Sequence, residues 1–176
     1  MTPIPDPLPG SPLHVVIMGV SGNGKSTAGG LLAEALGWSF AEGDEFHPQA
    51  NVDKMSAGFP LTDEDRWPWL RELRDWIAGH EREGRPTLMA CSALKRSYRD
   101  LLREGAPGVY FLHLVGDKSL LLERMDGREH FMPTSLLESQ LDTLEPLEDD
   151  ERGALIDIAN SPDRIRRLAL AQLDLG

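Results

Sequence analysis

Short apolar runs alternate along this chain with longer segments of helical period. His14-Val15-Val16-Ile17-Met18 is short, β-branched and apolar, the pattern of a strand buried on both faces of a parallel sheet, and it ends in glycines. From Ser26 to Leu36 the residues Leu31, Leu32, Ala35 and Leu36 recur at helical spacing, and Gly37 supplies a stop. Trp38 to Glu42 reads as a second strand. Gly43 to Pro60 is polar and turn-rich with no sustained period, which predicts a long ordered loop of the kind that binds a ligand. A helix is predicted from Arg66 to Glu83, where Trp69, Leu70, Leu73, Trp76 and Ile77 form one stripe. Pro68 falls early enough to be tolerated in a first turn, and Asp63 to Asp65 suit the positive end.

The alternation continues with a strand at Pro86 to Cys91, a helix at Ala93 to Arg103 and a strand at Val109 to Val115. Helices follow at Lys118 to Met125 and Thr134 to Leu144, separated by the charged segment Asp126 to Pro133, which suits a hinged flap. A weak strand at Ala154 to Ile158 precedes a last helix, where Ser161 caps and Pro162 takes the first position. Five strands alternating with helices predict an α/β fold, a three-layer sandwich on a five-stranded parallel sheet.

At 176 residues one such domain is expected over 13–176, behind a frayed tail over 1–12 that carries five prolines and no apolar core. The net charge of −11 excludes the extended basic surface that nucleic acid or an anionic membrane requires. No apolar run approaches the roughly 20 residues of a membrane span. Cys91 is the sole cysteine, so no intrachain disulfide can form, which fits a reducing cytoplasm.

Gly19-Val20-Ser21-Gly22-Asn23-Gly24-Lys25-Ser26 satisfies the G-x-x-x-x-G-K-[ST] pattern in full, with Thr27 following. Glycines here let backbone N–H groups approach phosphate oxygens, and the helix that begins near Ser26 adds its positive end. Lys25 is then the side chain for the β- and γ-phosphates, and Ser26 a ligand for Mg²⁺. The bare pattern is expected by chance in about one chain in a hundred. Its position between an apolar strand and a helix is what the chemistry needs, so ATP with Mg²⁺ is the expected nucleotide partner.

A phosphate loop does not specify the acceptor. Glu42, Asp44 and Glu45 follow the second strand, at the edge where open α/β sheets bind ligands. By spacing alone they fit either a base that orients an acceptor hydroxyl or a solvated acidic turn. His47 reads as a turn histidine before Pro48. Lys95 falls near the same edge, whereas Arg96, Arg99 and Arg103 on its helix read as a solvated face. Arg124 and Arg128 flank the flap and fit either a clamp on the transferring phosphoryl group or surface ion pairs.

Several blocks together resemble the thermoresistant-type gluconokinases. They are Met18 to Thr27, Gly43 to Pro48, Lys54 to Arg66, Ala90 to Lys95 with Tyr98-Arg99-Asp100, and His130-Phe131-Met132-Pro133 with Leu136-Leu137 and Ser139-Gln140. They occur in family order from about Val15 to Leu147. The resemblance implies phosphorylation of D-gluconate at its 6-hydroxyl by ATP, on a fold similar to shikimate and nucleoside monophosphate kinases, in a cytoplasmic homodimer. It makes Asp44 the counterpart of the family's catalytic carboxylate and puts His47, Lys54, Arg66, Lys95 and His130 on the acceptor side. Arg124 and Arg128 resemble lid arginines. Two departures stand out: Glu42 replaces the aspartate usual two residues before Asp44, and the lid block before His130 is one residue shorter. Other readings are a shikimate-kinase-like enzyme and a nucleotide-dependent switch. Against the first, the third strand ends in Cys91-Ser92-Ala93 rather than a glycine triplet; against the second, there is no Asn-Lys-x-Asp motif.

Overall fold

The computed structural model describes residues 7, 9–126 and 135–175. Five strands, β1 (His14–Met18), β2 (Ser39–Glu42), β3 (Thr87–Ala90), β4 (Val109–Val115) and β5 (Gly153–Asp157), form one sheet in the order β2-β3-β1-β4-β5. Every pairing is parallel. The helices are α1 (Lys25–Leu36), α2 (Gln49–Ser56), α3 (Asp63–Arg82), α4 (Arg96–Arg103), α5 (Lys118–Asp126), α6 (Ser135–Thr143) and α7 (Pro162–Gln172).

The connection leaving β1 runs toward β2, and the one leaving β3 runs the opposite way, toward β4. Right-handed crossovers then put α1 on the face opposite α3 and α4. The observed helix pairs agree, α1 with α7 and α3 with α4. The reversal opens a crevice at the carboxyl ends of the adjacent strands β1 and β3. Both ends are held there, since Cys91 N–H donates to Ile17 O (3.0 Å) and Gly19 N–H to Ser92 O (3.1 Å). Val15, Val16, Ile17 and Met18 are buried on both faces of the sheet, against Leu32 of α1 and Leu70, Leu73 and Ile77 of α3.

The segment expected to be a long irregular loop is instead a 3-10 turn (Gly43–Phe46) followed by α2. No apolar stripe announces α2 because only two of its residues are buried, and one of them is the polar Asn51. Helix α3 begins three residues before the predicted start, at Asp63. Its first turn is polar and invisible to hydrophobic period, but Thr62 and Asp65 form a reciprocal capping box. Pro68 accordingly lies past the first turn, where it has no N–H to give the Glu64 carbonyl. Helix α4 begins three residues after the predicted start, because Ala93 adopts φ +45° and Lys95 is extended. The Arg99 guanidinium donates to Ala93 O (2.9 Å) and pairs with Glu151 (2.7 Å), both side chains being fully buried. Arg99 therefore belongs to the interior, not to the solvated face expected of it. The expected flap, with Arg128 and His130, lies outside the described residues apart from Asp126, the last residue of α5.

Candidate active site

The six-residue loop between β1 and α1 is shaped by its own asparagine. Asn23 is buried and its Nδ2 donates to Met18 O and Leu114 O (both 3.1 Å), which fixes the loop between the ends of β1 and β4. Gly19 has φ +133°, and a Cβ there would overlap the Asn23 amide. Lys25 folds across the loop and donates to Gly19 O (3.1 Å), Val20 O (3.0 Å) and Asn23 Oδ1 (3.3 Å). Burial pulls the pKa of its ammonium below the ordinary lysine value, against the opposing pull of Asp44, Cys91 and Glu42. Ser26 Oγ donates to Glu42 Oε2 (2.9 Å), so the hydroxyl expected to hold a metal and the carboxylate that replaces the usual aspartate touch one another.

This loop forms one wall of a cleft with about 670 Å³ of empty space, part of it open to solvent. Asp44, His47, Met55, Leu61, Arg66, Trp69, Ser92, Leu94 and Gln140 complete the lining. Gly43 lets the Asp44 turn approach β3 closely, since a Cβ on it would lie 2.5 Å from Ala90 O. Trp69 Nε1 donates to Gly43 O (2.7 Å) and pins that turn to α3. The His47 ring stacks on Trp69, with centroids 4.0 Å apart and planes at 18°. Burial pushes the His47 pKa down to about 4, so the ring is neutral near pH 7.

On the far wall Arg66 Nη1 donates to Tyr98 OH (2.8 Å), and Tyr98 in turn donates to Asp63 Oδ1. Lys95 Nζ donates to the same Asp63 oxygen (3.1 Å). Burial, then the Asp63 hydrogen bond, push the Tyr98 pKa up to about 12, so the hydroxyl keeps its proton. Lys54 pairs with Asp65 (2.7 Å), whose carboxyl is held down at about 2 by that lysine and the Thr62 cap. Arg66 thus lines the cleft with Asp44 and His47, whereas Lys54 and Lys95 stand outside its lining, each on an aspartate of α3.

A second cleft, of about 810 Å³, lies on the other side of the loop between α1, α5 and α7. Asn23, Gly24, Thr27, Ala28, Arg124, Pro162 and Ile165 line it. Arg124 Nη2 donates to Ile158 O (2.6 Å), which ties this arginine to the residue just past β5. Among the described residues no three His, Cys, Asp or Glu side chains converge as a metal cage.

Asn51, Trp69, Tyr98 and Gln140 were not singled out as site residues from sequence. Trp69 belongs to the apolar stripe of α3 and reads as core; Asn51 carries no local signal, and Gln140 stands in a block that carries the family resemblance without a role attached to it. Gln140 reaches in from α6, where its Oε1 accepts the Ser21 N–H (2.7 Å).

A parallel sheet with a phosphate loop at its switch point, facing a carboxylate across one cleft, is the arrangement of the P-loop small-molecule kinases. No family model matches the chain. It is 49% identical over 153 residues to the gluconokinase of Gluconobacter oxydans (strain 621H), covering 86% of each chain. It is 44% identical over 162 residues to the thermosensitive gluconokinase of Escherichia coli (strain K12), covering 89% of this chain and 87% of that one. A crystal structure of a gluconokinase from Sinorhizobium meliloti 1021 superposes with a TM-score of 0.84 at 51% identity over 93% of both chains. The chain belongs to the gluconokinase family.

Proposed function

We propose that this protein transfers the γ-phosphoryl group of ATP to the 6-hydroxyl of D-gluconate, giving 6-phospho-D-gluconate and ADP. The observation that carries the reading is that the phosphate loop and Asp44 line one cleft while Arg66 is fixed on its far wall. Phosphoryl transfer through a loose transition state asks a protein mainly to position its substrates and neutralise charge. The loop N–H groups and Lys25 serve the phosphates. Asp44, partly exposed in the cleft, orients the acceptor hydroxyl and takes its proton late. Arg66 supplies a guanidinium suited to a sugar-acid carboxylate. The second cleft, lined by Thr27, Arg124 and Pro162 beside the phosphate loop, would take the nucleoside end of ATP.

Ser26 and Glu42 fit Mg²⁺, because a hydroxyl and a carboxylate in contact are hard oxygen donors of the kind it prefers. Bound there, the ion would offset phosphate charge. The longer reach of Glu42 accounts for its direct contact with Ser26. The roles assigned to Lys54, Lys95, Arg128 and His130 rest on the family resemblance, as do the cytoplasmic setting, the lid over 126–133 and the homodimer. Among the described residues no helix is long and apolar enough to cross a membrane.

The test is ADP release with Mg-ATP in the presence of gluconate, shikimate, glycerate, AMP or no acceptor. Fast turnover with gluconate alone is expected. Turnover with a different acceptor would replace gluconate in this reading, and slow hydrolysis indifferent to acceptor would favour a nucleotide switch. Light scattering on the same sample checks the dimer.

A further inference from the structure

The hydrogen bonds behind His47 determine which of its ring nitrogens carries the proton. Asn51 is buried, and its Nδ2 donates to the Asp65 carbonyl (2.9 Å). A carbonyl can only accept, so this bond fixes which end of the Asn51 amide is nitrogen. The same Nδ2 lies 3.2 Å from His47 Nδ1. Nδ1 must then accept, and in a neutral imidazole the single hydrogen sits on Nε2. Nε2 points to Asp44, whose Oδ1 is 4.0 Å away, too far for a hydrogen bond between them. Both residues line the cleft. An oxygen placed about 2.9 Å from each would fill that gap.

We infer that Asn51 locks His47 in the Nε2–H tautomer, so that the imidazole serves the acceptor as a hydrogen-bond donor beside Asp44 and leaves the carboxylate as the only base of the pair. The inference rests on the gluconate-kinase reading. It gives the two side chains opposite tasks at one polyol oxygen: Asp44 accepts from the hydroxyl hydrogen, while His47 donates to a lone pair. Stacking on Trp69 keeps the ring in plane, and its burial opposes protonation, so the donor does not become a cation that would pair with Asp44. Asn51 is a positioning residue, separated from the cleft by the ring it orients.

The test is long-range proton–nitrogen correlation NMR on the ¹⁵N-labelled full chain at neutral pH, with His47 assigned by its loss in His47→Gln. An unprotonated Nδ1 and a protonated Nε2 are expected; a protonated Nδ1, or an imidazolium, would overturn the inference. Kinetically, His47→Phe keeps an aromatic ring for the stack on Trp69 but has no hydrogen to donate, and it should raise the gluconate KM about tenfold more than the His47→Gln variant, with the ATP KM alike in both. Equal impairment by the two would overturn the donor role. In Asn51→Ala the His47 signal should become a mixture of tautomers, and a signal still wholly Nε2–H would remove Asn51 from the account. If the wild-type protein shows the Nε2–H tautomer yet ignores gluconate, the acceptor reading fails and the tautomer lock stands.

Discussion

The two walls of the cleft are built from different materials. On the wall proposed for the nucleotide, the groups on offer are backbone N–H donors of a loop held by one buried side chain, Asn23, and by the glycines around it. On the wall proposed for the acceptor they are side chains on three separate elements: hydrogen bonds among Arg66, Tyr98, Asp63 and Lys95 join α3 to α4, and the Trp69 indole ties the Asp44 turn to α3. Backbone donors serve any nucleoside triphosphate and tolerate little change in loop shape. A side-chain network can be retuned one residue at a time, which suits the substrate that distinguishes one small kinase from another.

The largest test of this contrast is Asp44→Asn. Loss of the base should lower kcat about 10³-fold while the Kd of an ATP analogue stays within about twofold, read by turnover and calorimetry. Lys25→Ala should instead weaken the analogue as well as turnover; unchanged nucleotide affinity there would break the division between walls. Next in size is Asn23→Ala, which strips a donor from two buried carbonyls. It should cost about 2 kcal/mol of stability in urea melts and raise the ATP KM, with the gluconate KM little moved. Tyr98→Phe is smaller and falls on the opposite wall. It frees Arg66 and should raise the gluconate KM about fivefold at unchanged ATP KM, since one hydrogen bond is worth about 1 kcal/mol.

The smallest concerns one histidine that lines the cleft and one buried in the sheet beneath it. His47 and His113, the latter paired with Met18 beneath the phosphate loop, both have pKa values pushed down to about 4, chiefly by burial. A group with a lowered folded pKa binds its proton more readily when unfolded. Stability should therefore be level above the unfolded value of 6.5 and fall as pH drops from there to about 4. His113 Nδ1 is buried and has no hydrogen-bond partner among the described residues. His113→Leu should accordingly raise stability by about 1 kcal/mol and flatten part of the acid slope, measured by urea midpoints at pH 5 and pH 8.

The same contrast decided what the sequence made legible. The phosphate loop is contiguous, so its spacing alone located Gly19 to Ser26, and the strand before it and the helix after it followed from local period. The acceptor wall is assembled by packing. Asn51 lies on a helix with no apolar stripe, Trp69 sits in a stripe that reads as core, and Gln140 arrives from α6, 119 residues beyond the loop N–H it meets. Family resemblance brought Asp44, His47 and Arg66 together as acceptor-side residues, and the fold gives them a common cleft. It did not distinguish Arg66 from Lys54 and Lys95, which are set apart by the aspartates that hold them.

The Arg99–Glu151 pair has a consequence for how this lineage can vary. It fixes Ala93 in its left-handed conformation, and through that residue the turn leading from β3 to Lys95. Replacing Glu151 alone strands the Arg99 guanidinium in the interior, at a cost of about 3–5 kcal/mol, enough to consume much of a small domain's margin. Replacing Arg99 alone is milder, because Arg103 and the Glu148 N–H still donate to Glu151. The pair is thus a one-way evolutionary ratchet: descendants that keep Arg99 should keep Glu151, whereas Glu151 can outlast Arg99.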